Sequence, residues 1–156
     1  MHSEDAAAQA RVLMARAEAA VLSTLGPDGV PRSRAMLNLH SPRQFGGLQH
    51  WLTTQDHWTV WFSTNTSSSK VAQVRDNPAA SVYYCLPGEW TGLLLGGEAR
   101  IVDDPAVKAA LWQPNWTLYY GDDGVRSEDY TVLALRADFA ELYGSLSVQR
   151  WSIDRP

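Results

Sequence analysis

The segments Val21-Leu22-Ser23-Thr24-Leu25, Gly26-Pro27-Asp28-Gly29 and Val30 to His40 place two strand-forming runs on either side of a tight Gly- and Pro-bearing turn. Such a pattern specifies an antiparallel hairpin. A second hairpin follows, because Ala79 to Leu86 and Thr91 to Val102 are joined across Pro87-Gly88-Glu89-Trp90. His57 to Thr64 adds a strand of β-branched and aromatic residues, and Tyr130 to Leu135 followed by Ala140 to Tyr143 closes the set. Strands on hairpins, with few helices and no repeating strand–helix–strand unit, indicate a mainly β antiparallel barrel rather than a parallel sheet.

Helical signals are sparse. Ser3 to Ala20 is Ala-rich, lacks Gly and Pro, and opens with Ser3, Glu4 and Asp5, which suit a helix start. Ser68 to Asp76 keeps Val71 and Val74 on one face and stops at Asn77-Pro78. Asp103-Asp104-Pro105 caps a further helix running to about Trp112. Between them, Ser41 to Asp56 reads as loop with a short helix or an irregular excursion from Leu48.

The 156 residues suit a single domain, 1–156, with a helix over 1–20 and a C-terminal tail over 145–156. A net charge of -4, with 13 scattered Lys and Arg, lacks the basic stripe that nucleic acid requires. No apolar run approaches the ~20 residues of a membrane span. One cysteine, Cys85, and an N-terminus without a secretory pattern point to the cytoplasm. The spacing of His2, His40, His50 and His57 matches no metal-ligand pattern. Seven Trp and six Tyr imply an aromatic-lined pocket or a large interface between subunits.

The stretch Trp61-Phe62-Ser63-Thr64-Asn65-Thr66-Ser67-Ser68-Ser69-Lys70 is a strand-to-helix junction dense in hydroxyls, ending in an ammonium. Side-chain donors, free N–H groups and the positive end of a helix dipole together suit a phosphate. Ser-rich segments also serve simply as helix caps, and the stretch alone fits both uses. On the strand Val30 to His40, alternation sets Arg32 and Arg34 opposite Leu37 and Leu39. Arginines on such a face are solvated unless one reaches a ligand.

Taken in order, these segments resemble the pyridoxamine 5′-phosphate oxidase-like family of FMN-binding split barrels, in its general-stress-protein branch. The likeness runs from about Ala19 to Tyr143. It rests on Ala20-Val21-Leu22-Ser23-Thr24, Ser33-Arg34-Ala35-Met36, Trp61-Phe62-Ser63-Thr64 with Ser68 and Lys70, and Asn77-Pro78. Gly97-Glu98-Ala99-Arg100, Val102-Asp103-Asp104 and Leu111-Trp112-Gln113-Pro114 continue it. The resemblance implies a six-stranded antiparallel Greek-key split barrel that works as a homodimer, with FMN held between the subunits.

By matching position it implies that Arg34, Ser68, Ser69 and Lys70 bind the FMN phosphate and that the Ser63-Thr64 backbone lines the isoalloxazine ring. Trp112, Trp116, Tyr119 and Tyr120 match an aromatic segment that would wall the substrate side. The expected activity is that of an oxidoreductase fed by a donor such as NAD(P)H, without a catalytic side chain; the alternative is a flavin or phosphate-ligand carrier. Glu141-Leu142-Tyr143 and Arg150-Trp151 do not match the C-terminal signature of true pyridoxamine phosphate oxidases, so vitamin B6 oxidation is not expected.

Overall fold

Seven strands form one antiparallel sheet: β1 (Ala19–Leu25), β2 (Pro31–Leu37), β3 (Thr59–Asn65), β4 (Ala79–Leu86), β5 (Thr91–Val102), β6 (Tyr130–Gly144) and β7 (Ser147–Ser152). The computed structural model describes residues 3–154; His2 and the last two positions of the expected tail lie outside them. Six strands lie in the order β2-β1-β4-β5-β6-β3, and β7 pairs with β6. The β3 strand, early in the chain, thus pairs with the late β6, which is the Greek-key crossing of a split barrel. The segment expected as a C-terminal tail carries β7, and the two closing strand-like runs are one continuous strand, β6.

Curvature comes from the long central strands. Between Gly96 and Gly97 the β5–β6 register shifts, and a Cβ at Gly97 would collide with the Arg136 carbonyl. A bulge at a position only glycine can occupy bends the sheet. As a result β2 and β3, the two ends of the six-strand path, come into contact across the seam of the barrel.

Helices α1 (Ser3–Arg16), α2 (Gln49–Thr53), α3 (Ser69–Asp76), α4 (Pro105–Leu111) and α5 (Thr117–Tyr120) flank this sheet. Of the described residues, none lies in a helix long and apolar enough to cross a membrane. Period two gives β3 two buried faces: Val60 and Phe62 join the barrel interior with Leu22, Tyr84 and Leu133, while Trp61 joins a second core with Leu39, Leu111, Trp116 and Tyr130.

Asn38 ends β2 and ties α1 to the barrel. Fully buried, it donates from Nδ2 to the carbonyls of Met14 (2.7 Å) and Ala17 (2.8 Å), while its Oδ1 accepts from the His40 amide at 3.1 Å. These bonds satisfy carbonyls that a helix end leaves open. His40 in turn packs against β3, where its Nε2 accepts a long bond from the Trp61 amide. Burial lowers its pKa from 6.5 to about 4, although an edge of the residue still touches solvent.

On β2 the expected alternation is present but its sense is reversed. Arg32, Arg34 and Met36 take the more buried face, and Ala35 and Leu37 the exposed one. Arg32 stays at the hairpin turn, paired with Asp28 at 2.8 Å, whereas Arg34 points under the barrel rim.

Replacing Asn38 with Leu strands two helix-end carbonyls, so urea unfolding is expected to show a loss of about 2–4 kcal/mol with an unchanged denaturant slope. For His40, the unfolded state binds a proton between pH 6.5 and about 4 that the native state refuses. Stability is therefore greatest above pH 6.5 and falls through that window by up to about 3 kcal/mol. The variant His40→Gln should show a flatter stability profile over the same range.

Candidate functional site

The seam between β2 and β3 holds the residues singled out by the sequence. Ser68 is the N-cap of α3, with extended backbone and no side-chain capping bond, so the first amides of that helix have no local side-chain acceptor. Lys70, in the first turn, reaches back to donate from Nζ to Thr64 Oγ1 at 2.9 Å. Ser68 Oγ lies 3.4 Å from the same hydroxyl, and Ser69 is exposed at the helix start.

Arg34 approaches from β2. Its Nη1 donates to Thr24 Oγ1 (2.7 Å) and to the carbonyls of Arg32 (3.0 Å) and Leu22 (3.3 Å), and Nη2 donates to Gln73 Oε1 at 3.2 Å. Burial lowers the pKa of Lys70, and the nearby charge of Arg34 lowers it further. Burial also lowers that of Arg34.

Among the described residues neither cation is paired with a carboxylate. The three ion pairs lie elsewhere: Arg16–Glu89, Arg32–Asp28 and Arg150–Glu141. Two partly desolvated cations that repel each other are stabilised by an anion held between them.

Beside the cations is a cavity of about 360 Å³, lined by Ala35, Met36 and Leu37 of β2, by Ser63, Thr64 and Asn65 of β3, and by Tyr119 and Tyr120, with Glu18 and Ala19 completing it. Its floor carries an orphan. Ser63 Oγ is buried and makes no hydrogen bond, although it lies close enough to the Tyr120 hydroxyl to offset part of the burial that raises that phenol's pKa. A buried hydroxyl without a partner costs free energy unless something fills the space before it. The residues present offer cationic and hydroxyl donors suited to an anion at the start of α3, next to a cavity with an apolar wall and a buried hydroxyl suited to a planar group that carries hydrogen-bonding atoms.

Arg34, Thr64, Ser68 and Lys70 thus come together, with Ser69 next to them at the helix start, while Ser63, on the opposite face of β3 from Thr64, lies in the neighbouring cavity beside Tyr120. The aromatic residues divide. Tyr119 lines the cavity and is half exposed, whereas Trp116 is only 1% exposed and packs edge-on against Phe45, Trp112, Tyr120 and Tyr130. Trp112 is partly buried behind the wall, in contact with Tyr120 and Tyr130.

Three participants were not singled out from sequence. Thr24 and Gln73 hold Arg34, and Asp129 accepts from Asn65 Nδ2 (2.7 Å) and the Ser67 amide (2.9 Å), fixing the junction before α3. These bonds, that from Asn65 first, hold the Asp129 carboxyl below its usual value. The helical spacing from Lys70 to Gln73 was a usable signal, since positions three apart share a face. Asp129 had none, because only the pairing of Asn65 with Tyr130 brings it near.

Architecture and site together define a split barrel with a cationic seam. The sequence profile of the pyridoxamine 5′-phosphate oxidase family matches residues 6–143. The chain belongs to that family. It is 26% identical to a Clostridium acetobutylicum protein related to general stress protein 26, with a TM-score of 0.78 and 97% of each chain covered. It shares its fold with general stress protein 26 of Bacillus anthracis (16% identity, TM-score 0.66, 92% of this chain and 97% of that one). A heme binding protein of Mycobacterium smegmatis is similar in fold too, at 16% identity and TM-score 0.66, over 94% of this chain and 57% of its own. No curated protein matches the sequence.

Because Lys70 is placed against the charge of Arg34, Lys70→Met should leave the ligand-free protein as stable as the original or more stable by up to about 1 kcal/mol in urea unfolding. A loss of more than about 1 kcal/mol would mean that its bond to Thr64, rather than repulsion, dominates.

Proposed function

We propose that the chain is an FMN-binding flavoprotein and an oxidoreductase that works as a homodimer in the reducing cytoplasm. One observation carries this reading: two cations without a carboxylate partner meet at the start of α3, beside a cavity whose floor holds the unpartnered hydroxyl of Ser63. Arg34 and Lys70 would hold the phosphate by charge, and Ser68, Ser69 and the free amides of α3 would add hydrogen bonds. Ser63 and the Thr64 backbone would face the ring.

When bound, FMN supplies the redox chemistry, so the protein has only to orient, desolvate and bias it electrostatically. Tyr119 would form the substrate wall. Trp112 and Trp116 would act from behind it, by fixing Tyr120 through edge contacts. The donor would be a reduced nicotinamide nucleotide. The haem reading is weaker, because no histidine lines the seam cavity.

Support for a dimer comes from the outer face of the sheet. The rings of Tyr83 and Phe139 lie over Gly92 and Gly96, where a Cβ would leave no room, and with Leu37 and Tyr143 they form a surface that is 37–42% exposed. Aromatic side chains flattened on an exposed sheet have the composition of a subunit interface. Continuity of this face with Ala35 and Leu37 of the cavity would let a partner close the site.

Protein purified without added cofactor, or mixed with FMN, is expected to show a flavin absorbance. The double variant Arg34→Ala/Lys70→Ala should bind FMN about 100-fold or more weakly while riboflavin changes less than about threefold, because only FMN carries the phosphate. Equal losses would remove the phosphate assignment. Oxidation of NADH or NADPH with an electron acceptor separates the enzyme from a carrier that binds flavin without turnover.

A further inference from the structure

Gln73 is the one neutral side chain that touches Arg34 from the same helix that carries Lys70. Its Oε1 accepts twice, from Thr24 Oγ1 at 2.6 Å and from Arg34 Nη2 at 3.2 Å, and Thr24 Oγ1 itself accepts from Arg34 Nη1 at 2.7 Å. The three side chains close a ring. Donor direction around it is fixed: the guanidinium can only donate, so the single hydroxyl proton of Thr24 goes to Gln73, and the amide must turn its oxygen inward. Thr24 is 1% exposed, so water does not replace a partner lost at its hydroxyl, whereas Arg34 and Gln73 are only partly buried.

The ring does more than tie α3 to β1. Arg34 also donates to the carbonyls of Leu22 and Arg32, so among the described residues every acceptor that the guanidinium bonds is neutral. A carboxylate at position 73 would satisfy the same geometry equally well, or better, and would stabilise a partly buried arginine. It would also cancel the charge. With glutamine there, the guanidinium is held still yet keeps its full positive charge for an outside anion.

The geometry points to Gln73 as the positioning residue of the anion site: it orients Arg34 through a neutral acceptor, so that selectivity for a phosphate-bearing flavin over its dephosphorylated form depends on the absence of charge at this position. The inference rests on the flavin reading above, and it concerns a residue that need not touch the ligand. Gln73 acts through Arg34, so its effect on the anion must appear in discrimination between ligands, separately from whatever the loss of its bond to Thr24 costs in folding.

The test compares Gln73→Glu with Gln73→Leu in the full chain, measuring FMN, riboflavin and inorganic pyrophosphate binding beside thermal unfolding. The Glu variant is expected to melt at the same temperature as the original or higher, to bind FMN about 10- to 100-fold more weakly, and to bind riboflavin within about twofold. The Leu variant, which frees Arg34 but adds no charge, should lose about three- to tenfold for FMN alone. A purely structural role would give the reverse pattern, either equal losses for both flavins or an unchanged ratio in the Glu variant, and either result overturns the inference.

Failure of the flavin reading has a separate signature. An original protein that binds neither flavin, yet is stabilised by pyrophosphate in a way that Gln73→Glu abolishes, removes FMN while keeping the role of Gln73. An original protein that gains nothing from FMN, riboflavin or pyrophosphate overturns both.

Discussion

A six-strand antiparallel path has two ends, and this protein brings them together without joining them. The β2 and β3 strands meet across the seam but pair only with β1 and β6, respectively. An open strand edge is normally a liability, because its unpaired N–H and C=O groups invite further strands. Here the seam is roofed by α3 at one end and by the α5 aromatics along one wall, and the polar backbone between them borders a cavity. The bulge at Gly97 is what allows this closure, since the curl of β5 and β6 determines how far apart the two ends stand. The candidate site is thus a consequence of incomplete barrel closure, and its position follows from the strand order together with the curl at the Gly97 bulge.

The reversal of faces on β2 follows from the same seam. A strand in a sandwich would bury Ala35 and Leu37 and expose Arg34, because apolar burial outweighs any gain from a guanidinium hydrogen bond. At the rim of a half-barrel the inner face looks onto the start of α3, where backbone carbonyls of Leu22 and Arg32 and the polar pair Thr24 and Gln73 are waiting. Arginine is the one side chain that can satisfy so many acceptors at once. Ala35 and Leu37 are left facing outward, in continuity with the aromatic face of Tyr83 and Phe139.

Most of the architecture was legible because it is locally encoded. The hairpin turn at Gly26 to Gly29, the Asp104 cap followed by Pro105, and the stop at Asn77-Pro78 each act within a few residues, and each stands where the sequence put it. Strand β7 was missed because its turn uses left-handed Ser145 and Leu146 rather than glycine or asparagine. The aromatic segment was legible as aromatic but not as layered. Tyr119 and Trp116 lie three apart on one short stretch, and only the packing of Phe45, Tyr120 and Tyr130 around Trp116 turns one of them inward. In the site, hydroxyls and cations could be named from residue type, whereas Thr24 could not, since nothing in a threonine marks it as the holder of an arginine 10 positions away; Gln73 could be placed on the face of Lys70 by helical spacing, but not against an arginine 39 positions away.

That asymmetry has a physical basis. A binding site for an anion must carry positive charge, which is a property of residue type and is visible in a sequence. It must also withhold negative charge, which is a property of arrangement. The protein has 17 Asp and Glu, and one of them, Glu18, lines the cavity itself, yet none of the described ones is paired with Arg34 or Lys70. Asp28 is engaged by Arg32 at the hairpin turn, and Asp129 is held by Asn65 and the Ser67 amide. Asp28 is thus taken up by Arg32, whereas Asp129 keeps its charge and is fixed in place by neutral donors at the junction before α3. What distinguishes this seam from an ordinary salt-bridged surface is that, among the described residues, neither Arg34 nor Lys70 forms an ion pair, so each keeps its charge beside the cavity.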